Sequence, residues 1–211
     1  MLNRNSYKII ELLLLFFVLP ASLALTIPPV LKVIFVLTGV IYCILVTVKL
    51  KLITKKEFYE LHLSNHWKSI ALSFLVIIVA SSVFMYIRDR GNLFIVVREN
   101  PLLWLFILFF YTVFSAYPQE LLYRSYFFKR YGQIFNNPVY LLALNILAFP
   151  VAHLMFRNLL VLLVTFIGGI LFTLTYYRSR SVMLTSIEHA IYGNWLFTVG
   201  MGAMLAFPMP N

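Results

Sequence analysis

The chain has 211 residues, of which 62% are hydrophobic and only 11% are charged, and its mean hydropathy is +0.91. A soluble domain has about 25% charged residues and could not hide this much apolar side chain from water. The composition therefore excludes a soluble enzyme, a disordered tail and, with Cys43 as the single cysteine, a disulfide scaffold. The net charge of +10 comes from cations in short segments between apolar runs, which favours anionic lipid over nucleic acid as the partner.

Several apolar runs are long enough to cross a bilayer, which takes about 20 residues of helix. There are seven, at roughly 8–26, 30–48, 69–87, 102–128, 138–157, 159–177 and 181–206. No run alternates as a barrel strand does, so the sequence predicts an all-α, polytopic membrane protein with about seven transmembrane helices. Pro118 interrupts the fourth run and predicts a kink or the start of a new helix.

The first run and the cations set the expected orientation. The run follows Arg4 and Lys8 and contains Ser22-Leu23-Ala24, as a cleaved signal peptide could. Glu11 near its start favours a retained anchor instead. With the N-terminus inside, twelve cations lie at or near the cytoplasmic face and four lie outside. We therefore expect a cytoplasmic N-terminus in a multi-pass protein of a cell or inner membrane.

The longest polar stretch, residues 49–68, lies on the predicted cytoplasmic side. Thr54 and Glu57 have the spacing of a capping box, which predicts a short amphipathic helix on the membrane surface. His62 and His66 are four residues apart on that helix. A metal pair is one interpretation, but an interfacial polar face is favoured because two histidines without a further ligand make a weak metal site.

Polar side chains inside apolar spans are costly and normally have a partner or a chemical task. The sequence contains eight of them: Glu11, Glu120, Arg124, Asn145, His153, Glu188, His189 and Asn194. All except Glu11 lie on the fourth, fifth and seventh runs, so they could converge on one intramembrane site. Glu120 and Arg124 are four residues apart on one helical face, which favours a salt bridge that would hold Glu120 ionised.

One carboxylate and two imidazoles suit hydrolysis. Glu120, His153 or His189 could activate a water molecule, and an imidazole or an amide could stabilise the oxyanion. The same three side chains could instead be ligands of a catalytic zinc ion, although no HExxH motif supplies such ligands from one helix. Nucleophilic catalysis finds little support, because Cys43 has no histidine nearby in sequence and no GxSxG motif occurs.

Three motifs follow one another in these runs. They are QELLYR from Gln119 to Arg124, FPVAH from Phe149 to His153, and EHAIYGN from Glu188 to Asn194. In this order they resemble Glu-Glu-x-x-x-Arg, Phe-x-x-x-His and a histidine followed four residues later by Asn or Asp. These are the motifs of the CPBP family of intramembrane endopeptidases, also called the Abi family, to which the type II CAAX prenyl proteases belong. The resemblance covers about residues 118–200.

The resemblance implies peptide-bond cleavage by a water molecule that a glutamate and a histidine activate, in a helical cavity open towards the cytoplasm. Carried over residue by residue, it implies Glu120 and His153 as the catalytic pair and Arg124 as the group that orients Glu120. It implies oxyanion or substrate contacts for His189 and Asn194. A metal has been assumed for the family but is not required; if zinc is present, Glu120, His153 and His189 are its expected ligands.

Two positions depart from the family motifs. Gln119 replaces the first glutamate and cannot act as a base, so either Glu120 supplies the carboxylate or the chain has lost the chemistry. Gly193 stands four residues after His189, and Asn194 is displaced by one position. The alternative function is therefore a catalytically inactive relative that binds a peptide or protein partner, in immunity or as an accessory factor. A small transporter or channel ranks third.

The sequence thus predicts an intramembrane endopeptidase that acts on a membrane-bound or membrane-proximal peptide. Its expected partners are the lipid bilayer and a membrane-associated peptide or protein substrate, with no nucleic acid. Residues 1–100 are expected to form N-terminal membrane helices that include the cytoplasmic amphipathic segment 49–68, and residues 101–211 the CPBP-like catalytic core. Nothing in the sequence indicates recognition of a prenyl group.

Overall fold

The computed structural model describes residues 2–54, 61 and 66–205, and every regular element in those residues is a helix. We number the helices α1 (Asn5–Ser22), α2 (Pro29–Leu50), α3 (Trp67–Arg88), α4 (Ile95–Glu99), α5 (Pro101–Tyr131), α6 (Pro138–Val151), α7 (Leu159–Ser179) and α8 (Val182–Thr198). Short 3₁₀ turns lie at Arg90–Asn92, Leu154–Phe156 and Met201–Leu205. The prediction of an all-α fold is confirmed.

Six helices in the described part of the chain are long and apolar enough to cross a membrane: Asn5–Ser22, Pro29–Leu50, Trp67–Arg88, Pro101–Tyr131, Pro138–Phe156 and Leu159–Ser179. The polytopic membrane fold is confirmed, whereas the count of seven spans is not. The seventh predicted span contains α8, which has 17 residues. At 1.5 Å per residue it is about 25 Å long, shorter than a hydrocarbon core of about 30 Å. Ten of its residues are buried, so α8 packs largely against protein.

The spans carry large apolar side chains on their outer faces. Val48 is 70% exposed, and Ile87 and Leu102 are each 78% exposed. Apolar surface on this scale is unfavourable in water, whereas lipid tails cover it without cost. These faces therefore fit an integral membrane protein.

The predicted amphipathic segment lies mostly outside the described residues. Both the capping box of Thr54 with Glu57 and the pair of His62 with His66 include a residue outside the described ranges. His66 itself immediately precedes α3. The surface helix therefore stays a prediction.

The chain divides into two compact units. Unit 1 comprises Met1–Tyr59 and Leu121–Leu174, and unit 2 comprises Glu60–Glu120 and Thr175–Asn211. Each unit combines two segments that are distant in the sequence, so each depends on long-range packing between helices. The division into residues 1–100 and 101–211 stays a prediction.

Unit 1 is organised around an aromatic cluster. The Phe16 ring on α1 lies 5.2, 6.3, 5.0 and 6.0 Å from the rings of Tyr123, Tyr126, Phe127 and Tyr131 on α5. Three of the four contacts are edge-to-face, the arrangement that the aromatic quadrupole favours. α1 widens into a π turn over Leu14–Val18, and the packed Phe16 lies inside that turn.

A buried ion pair also joins α1 to α5 in unit 1. Arg130 donates from Nε and Nη2 to the two carboxylate oxygens of Glu11, at 2.8 and 2.7 Å. The hydroxyls of Tyr42, Tyr126 and Tyr131 donate to the same carboxylate at 2.7, 2.9 and 2.9 Å. Glu11, the intramembrane glutamate of the N-terminal runs, therefore has an extensive set of hydrogen-bond donors.

Unit 2 has its own apolar core. Its buried cluster consists of Val96, Ile107, Tyr111, Ala116, Ala190 and Phe197, contributed by α4, α5 and α8. Beyond α8 the chain turns at Gly200, whose φ of 105° suits glycine. A Cβ at this position would lie 2.2 Å from the backbone oxygen of Asn92, so no larger residue fits. This tight turn fixes the C-terminal end of α8 against the segment that precedes α4.

Candidate active site

Glu120 lies inside α5 between two widened turns. π turns cover Tyr111–Ala116 and Leu121–Tyr126, and Pro118 lies between them. Proline has no backbone N–H, so a regular α-helical hydrogen bond is missing there in any case. The helix continues through Pro118 and absorbs the irregularity in the π turns. Such turns are frequent at functional sites.

The central contact of unit 2 joins Glu120 to His189. His189 Nδ1 lies 2.8 Å from Glu120 Oε1, and the two residues are 5% and 0% exposed. A carboxylate oxygen only accepts hydrogen bonds, so Nδ1 is the donor. In the neutral imidazole Nε2 is then the basic nitrogen. We call this pair the Glu120–His189 dyad.

Tyr111 packs directly against the dyad. Its ring lies 5.8 Å from the His189 imidazole at an interplanar angle of 80°. It lies over Gly193, where an added Cβ would be 2.2 Å from the Tyr111 hydroxyl oxygen. The position of Tyr111 beside the dyad was not predicted from the sequence, because tyrosine is common in apolar membrane runs. The available signal was Gly193, since glycine in a helix interior costs about 1 kcal/mol relative to alanine and marks a close approach.

Asn194 contacts a different part of unit 2. Its Nδ2 donates to Thr112 Oγ1 at 2.9 Å. Its Oδ1 is buried and accepts no hydrogen bond from the described residues. α8 has no π turn, so Asn194 lies about 140° around the helix from His189. The predicted contact of Asn194 with oxyanion or substrate stays a prediction.

The side chains that flank the dyad in sequence have other partners. Glu188 accepts a hydrogen bond of 3.0 Å from Tyr192. Glu188 and His189 are consecutive in the helix and therefore point about 100° apart, so they face different partners. Gln119 donates from Nε2 to Ser115 Oγ at 2.8 Å. The amide that replaces the first family glutamate is therefore engaged within its own helix.

Arg124 belongs to unit 1, where a polar network holds it. Its side chain is fully buried, and Nη1 donates to Asn145 Oδ1 at 2.7 Å and to the Tyr123 backbone oxygen at 3.3 Å. Asn145 Oδ1 also accepts from Thr173 Oγ1 at 2.9 Å, and the Asn145 amide donates to the Tyr123 oxygen. The guanidinium lies over the Phe149 ring at 5.2 Å, a cation–π distance. Asn145, which the sequence analysis left without a role, is the acceptor that positions Arg124.

His153 also belongs to unit 1 and follows the end of α6. It is half-buried, and its Nδ1 lies 2.8 Å from the Phe149 backbone oxygen. A carbonyl oxygen only accepts, so Nδ1 carries the proton and Nε2 is the basic nitrogen of the neutral ring. Pro150 lies one residue before the end of α6, and the chain then turns at His153 into the 3₁₀ turn. The motif Phe-x-x-x-His thus fixes a tautomer through a local hydrogen bond.

The predicted site residues fall into two groups. Glu120, His189 and Asn194 lie in unit 2, and Arg124 and His153 lie in unit 1. The structure pairs Glu120 with His189 and places Arg124 beside Asn145. The chemical roles assigned to all five residues stay predictions.

A catalytic zinc ion takes three protein ligands. Within residues 2–54, 61 and 66–205, no three His, Cys, Asp or Glu side chains are grouped so that they could hold a metal ion. The zinc set of Glu120, His153 and His189 stays a prediction.

Comparison with protein-family models finds a match. The family model of the type II CAAX prenyl endopeptidases, Rce1-like, matches residues 101–196, a segment that contains all five predicted site residues. No curated protein matches the chain, and no solved structure does. The resemblance to the CPBP family, drawn from three motifs, is confirmed for this segment, and it indicates a CAAX-type protease at the level of the family.

Proposed function

We propose that this integral membrane relative of the CAAX-type proteases is an intramembrane endopeptidase. Its substrate is a membrane-bound or membrane-proximal peptide, and its reaction is hydrolysis of a peptide bond. The observation that carries the proposal is the buried Glu120–His189 dyad, with 2.8 Å between Nδ1 and Oε1. A carboxylate that fixes one nitrogen of an imidazole and leaves the other basic is the arrangement of a general base.

In the proposed reaction His189 Nε2 takes a proton from a water molecule. The resulting hydroxide attacks the carbonyl carbon of the peptide bond and forms a tetrahedral intermediate with a negatively charged oxygen. Glu120 holds the ring in the reactive tautomer and stabilises the imidazolium that forms. His189 then gives the proton to the leaving nitrogen, the carbon–nitrogen bond breaks, and the products are a carboxylic acid and an amine.

The burial of the dyad supports this role. Both side chains are shielded from solvent, where electrostatic interactions are stronger than in water and need little reorganisation during the reaction. A buried carboxyl group needs a hydrogen-bond partner, and His189 provides one. A general base of this kind contributes about 10²- to 10⁴-fold to the rate.

The family resemblance assigns His153 and Arg124 to the same chemistry, and both roles belong to the proposal. His153 has the tautomer of a base, because the Phe149 oxygen accepts the Nδ1 proton. Arg124 is held in one orientation by Asn145. Single substitutions at these residues test each role separately.

Gln119 supports a second candidate function. The family carboxylate at this position is replaced by an amide that bonds Ser115. A chain that lost its chemistry in this way would keep the fold and bind a peptide or protein partner. The two functions differ in one observable, because only the first produces new peptide termini.

The deciding experiment compares peptide termini in host membranes that carry the wild type or single variants at matched abundance. Glu120→Gln and His189→Ala remove the proposed base, and His153→Ala removes the imidazole that the family resemblance assigns to the same chemistry. Glu188→Gln is the matched control, since it changes a buried glutamate next to His189 that bonds Tyr192 instead. We expect termini that depend on the wild type, persist in Glu188→Gln and fall by about 10²- to 10⁴-fold in Glu120→Gln and His189→Ala. Identical termini in all folded variants would refute the protease proposal and favour the binding function.

A further inference from the structure

The centre of α8 contains a notch that only glycine allows. A Cβ at Gly193 would lie 2.2, 2.3 and 2.4 Å from Oη, Cε1 and Cζ of Tyr111. Real Cβ atoms essentially never come within 3.0 Å of such neighbours. Any side chain at residue 193 must therefore displace the Tyr111 ring.

The ring in this notch lies between two other rings of α8. His189, Gly193 and Phe197 are spaced by four residues and share one helical face. The Tyr111 ring lies 5.8 Å from the His189 imidazole and 4.9 Å from the Phe197 ring, at interplanar angles of 80° and 73°. Tyr111 is 9% exposed, so its ring has little room to move.

We propose that Tyr111 is a positioning residue for the catalytic dyad, with Gly193 providing the space for its ring. Edge-to-face packing restricts rotation of the His189 imidazole, so that Nδ1 stays directed at Glu120 and Nε2 stays basic. The inference rests on the proposed function and deepens it. It adds one side chain from α5 that sets the geometry of the base without touching the reacting atoms.

A pair of glycine substitutions tests the notch. Gly193→Ala puts a methyl group into the volume of the Tyr111 ring. Gly39→Ala is the matched control, because an added Cβ there meets flexible leucine side chains, Leu19 at 3.2 Å and Leu15 at 3.9 Å. We expect Gly193→Ala to lower kcat about 100-fold with little change in KM, as for a misplacement of about 1 Å, and Gly39→Ala to resemble the wild type. Wild-type kcat in a folded Gly193→Ala protein would overturn the proposal.

Substitutions of Tyr111 separate the ring from its hydroxyl. Tyr111→Phe keeps the ring and should retain kcat, whereas Tyr111→Leu removes the ring and should lower kcat about as much as Gly193→Ala does. A large loss of activity in Tyr111→Phe would show that the hydroxyl matters instead of the ring, and would overturn the proposal. Because Tyr111→Phe preserves the packing, this comparison stands even where Tyr111→Leu does not fold.

A measurement without substrate tests the positioning role of Tyr111 independently of the proposed protease activity. Nitrogen NMR of ¹⁵N-histidine-labelled protein in micelles reports the ring tautomer, and the His189 signal is assigned by its loss in His189→Gln. We expect one tautomer, protonated at Nδ1, in the wild type and in Tyr111→Phe, and mixed tautomers in Gly193→Ala. An unchanged single tautomer in Gly193→Ala would overturn the positioning role. A wild type with the expected tautomer but without cleavage would refute only the protease proposal.

Discussion

The Glu11–Arg130 ion pair offers the sharpest test of what holds α1 onto α5. Glu11→Ala removes the acceptor of two arginine hydrogen bonds, at 2.8 and 2.7 Å. In the wild type the Arg130 side chain that would lose this partner is only 2% exposed. The substitution also removes the acceptor of three tyrosine hydroxyls. Breaking a buried pair by deleting one partner costs about 3–5 kcal/mol, because the remaining charge is not compensated.

This loss translates into a measurable shift of the thermal transition. For a chain of this length 1 kcal/mol changes Tm by about 2–4 °C, so we expect Glu11→Ala to lower Tm by about 10 °C. The assay is thermal unfolding of the purified protein in detergent micelles, followed by tryptophan fluorescence. Glu99→Ala is the control, since Glu99 is an exposed glutamate at the end of α4. Its Tm should equal that of the wild type.

A double variant separates the uncompensated charge from the lost packing. Glu11→Ala with Arg130→Met removes both charges, and replacing a whole buried pair by apolar side chains is often neutral. The double variant should therefore melt at a higher temperature than Glu11→Ala alone. A Glu11→Ala protein that melts within about 2 °C of the wild type, or a double variant less stable than the single one, would refute the reasoning.

Three further predictions concern other parts of the chain. Asn145→Leu removes a buried side-chain acceptor of Arg124, so it should lower the unfolding free energy by about 1.5–3 kcal/mol in the same thermal assay. Gly200→Ala forces a Cβ to 2.2 Å from the Asn92 oxygen at a φ of 105°, and it should cost about 1–3 kcal/mol, measured as a Tm below that of Gly39→Ala. The charge bias predicts a cytoplasmic N-terminus, which a reporter active only in the cytoplasm and fused there should show by its signal.

Hydropathy located the membrane helices well because burial in lipid depends on composition more than on sequence detail. The runs near 30–48 and 159–177 correspond to α2 and α7 within a few residues. The run at 181–206 exceeded α8, since the tight turn at Gly200 ends the helix early and composition does not register a backbone turn. The sequence also did not predict the partner of Glu11, because Arg130 lies 119 positions further along the chain.

The motifs selected the candidate site residues, but the sequence did not establish which of them contact one another. Glu120 is four residues from Arg124 and 69 from His189, so spacing alone favoured the local pair. The salt bridge of Glu120 with Arg124 stays a prediction, and the π turn over Leu121–Tyr126 is a departure from the regular helix on which that spacing argument relies. Hydrogen-bond patterns of this kind leave no mark in hydropathy. The contact with His189 follows from packing between helices.

The π turn over Tyr111–Ala116 explains how one helix presents both Tyr111 and Glu120 to His189. Glu120 lies nine positions after Tyr111, which in a regular α-helix places the two residues about 180° apart, on opposite faces. A π turn takes up one extra residue, and the separation falls to about 80°. Both side chains then reach one imidazole, the ring at 5.8 Å and the carboxylate at 2.8 Å. The irregular turn thus allows α5 to place an aromatic ring and a carboxyl group against the same histidine.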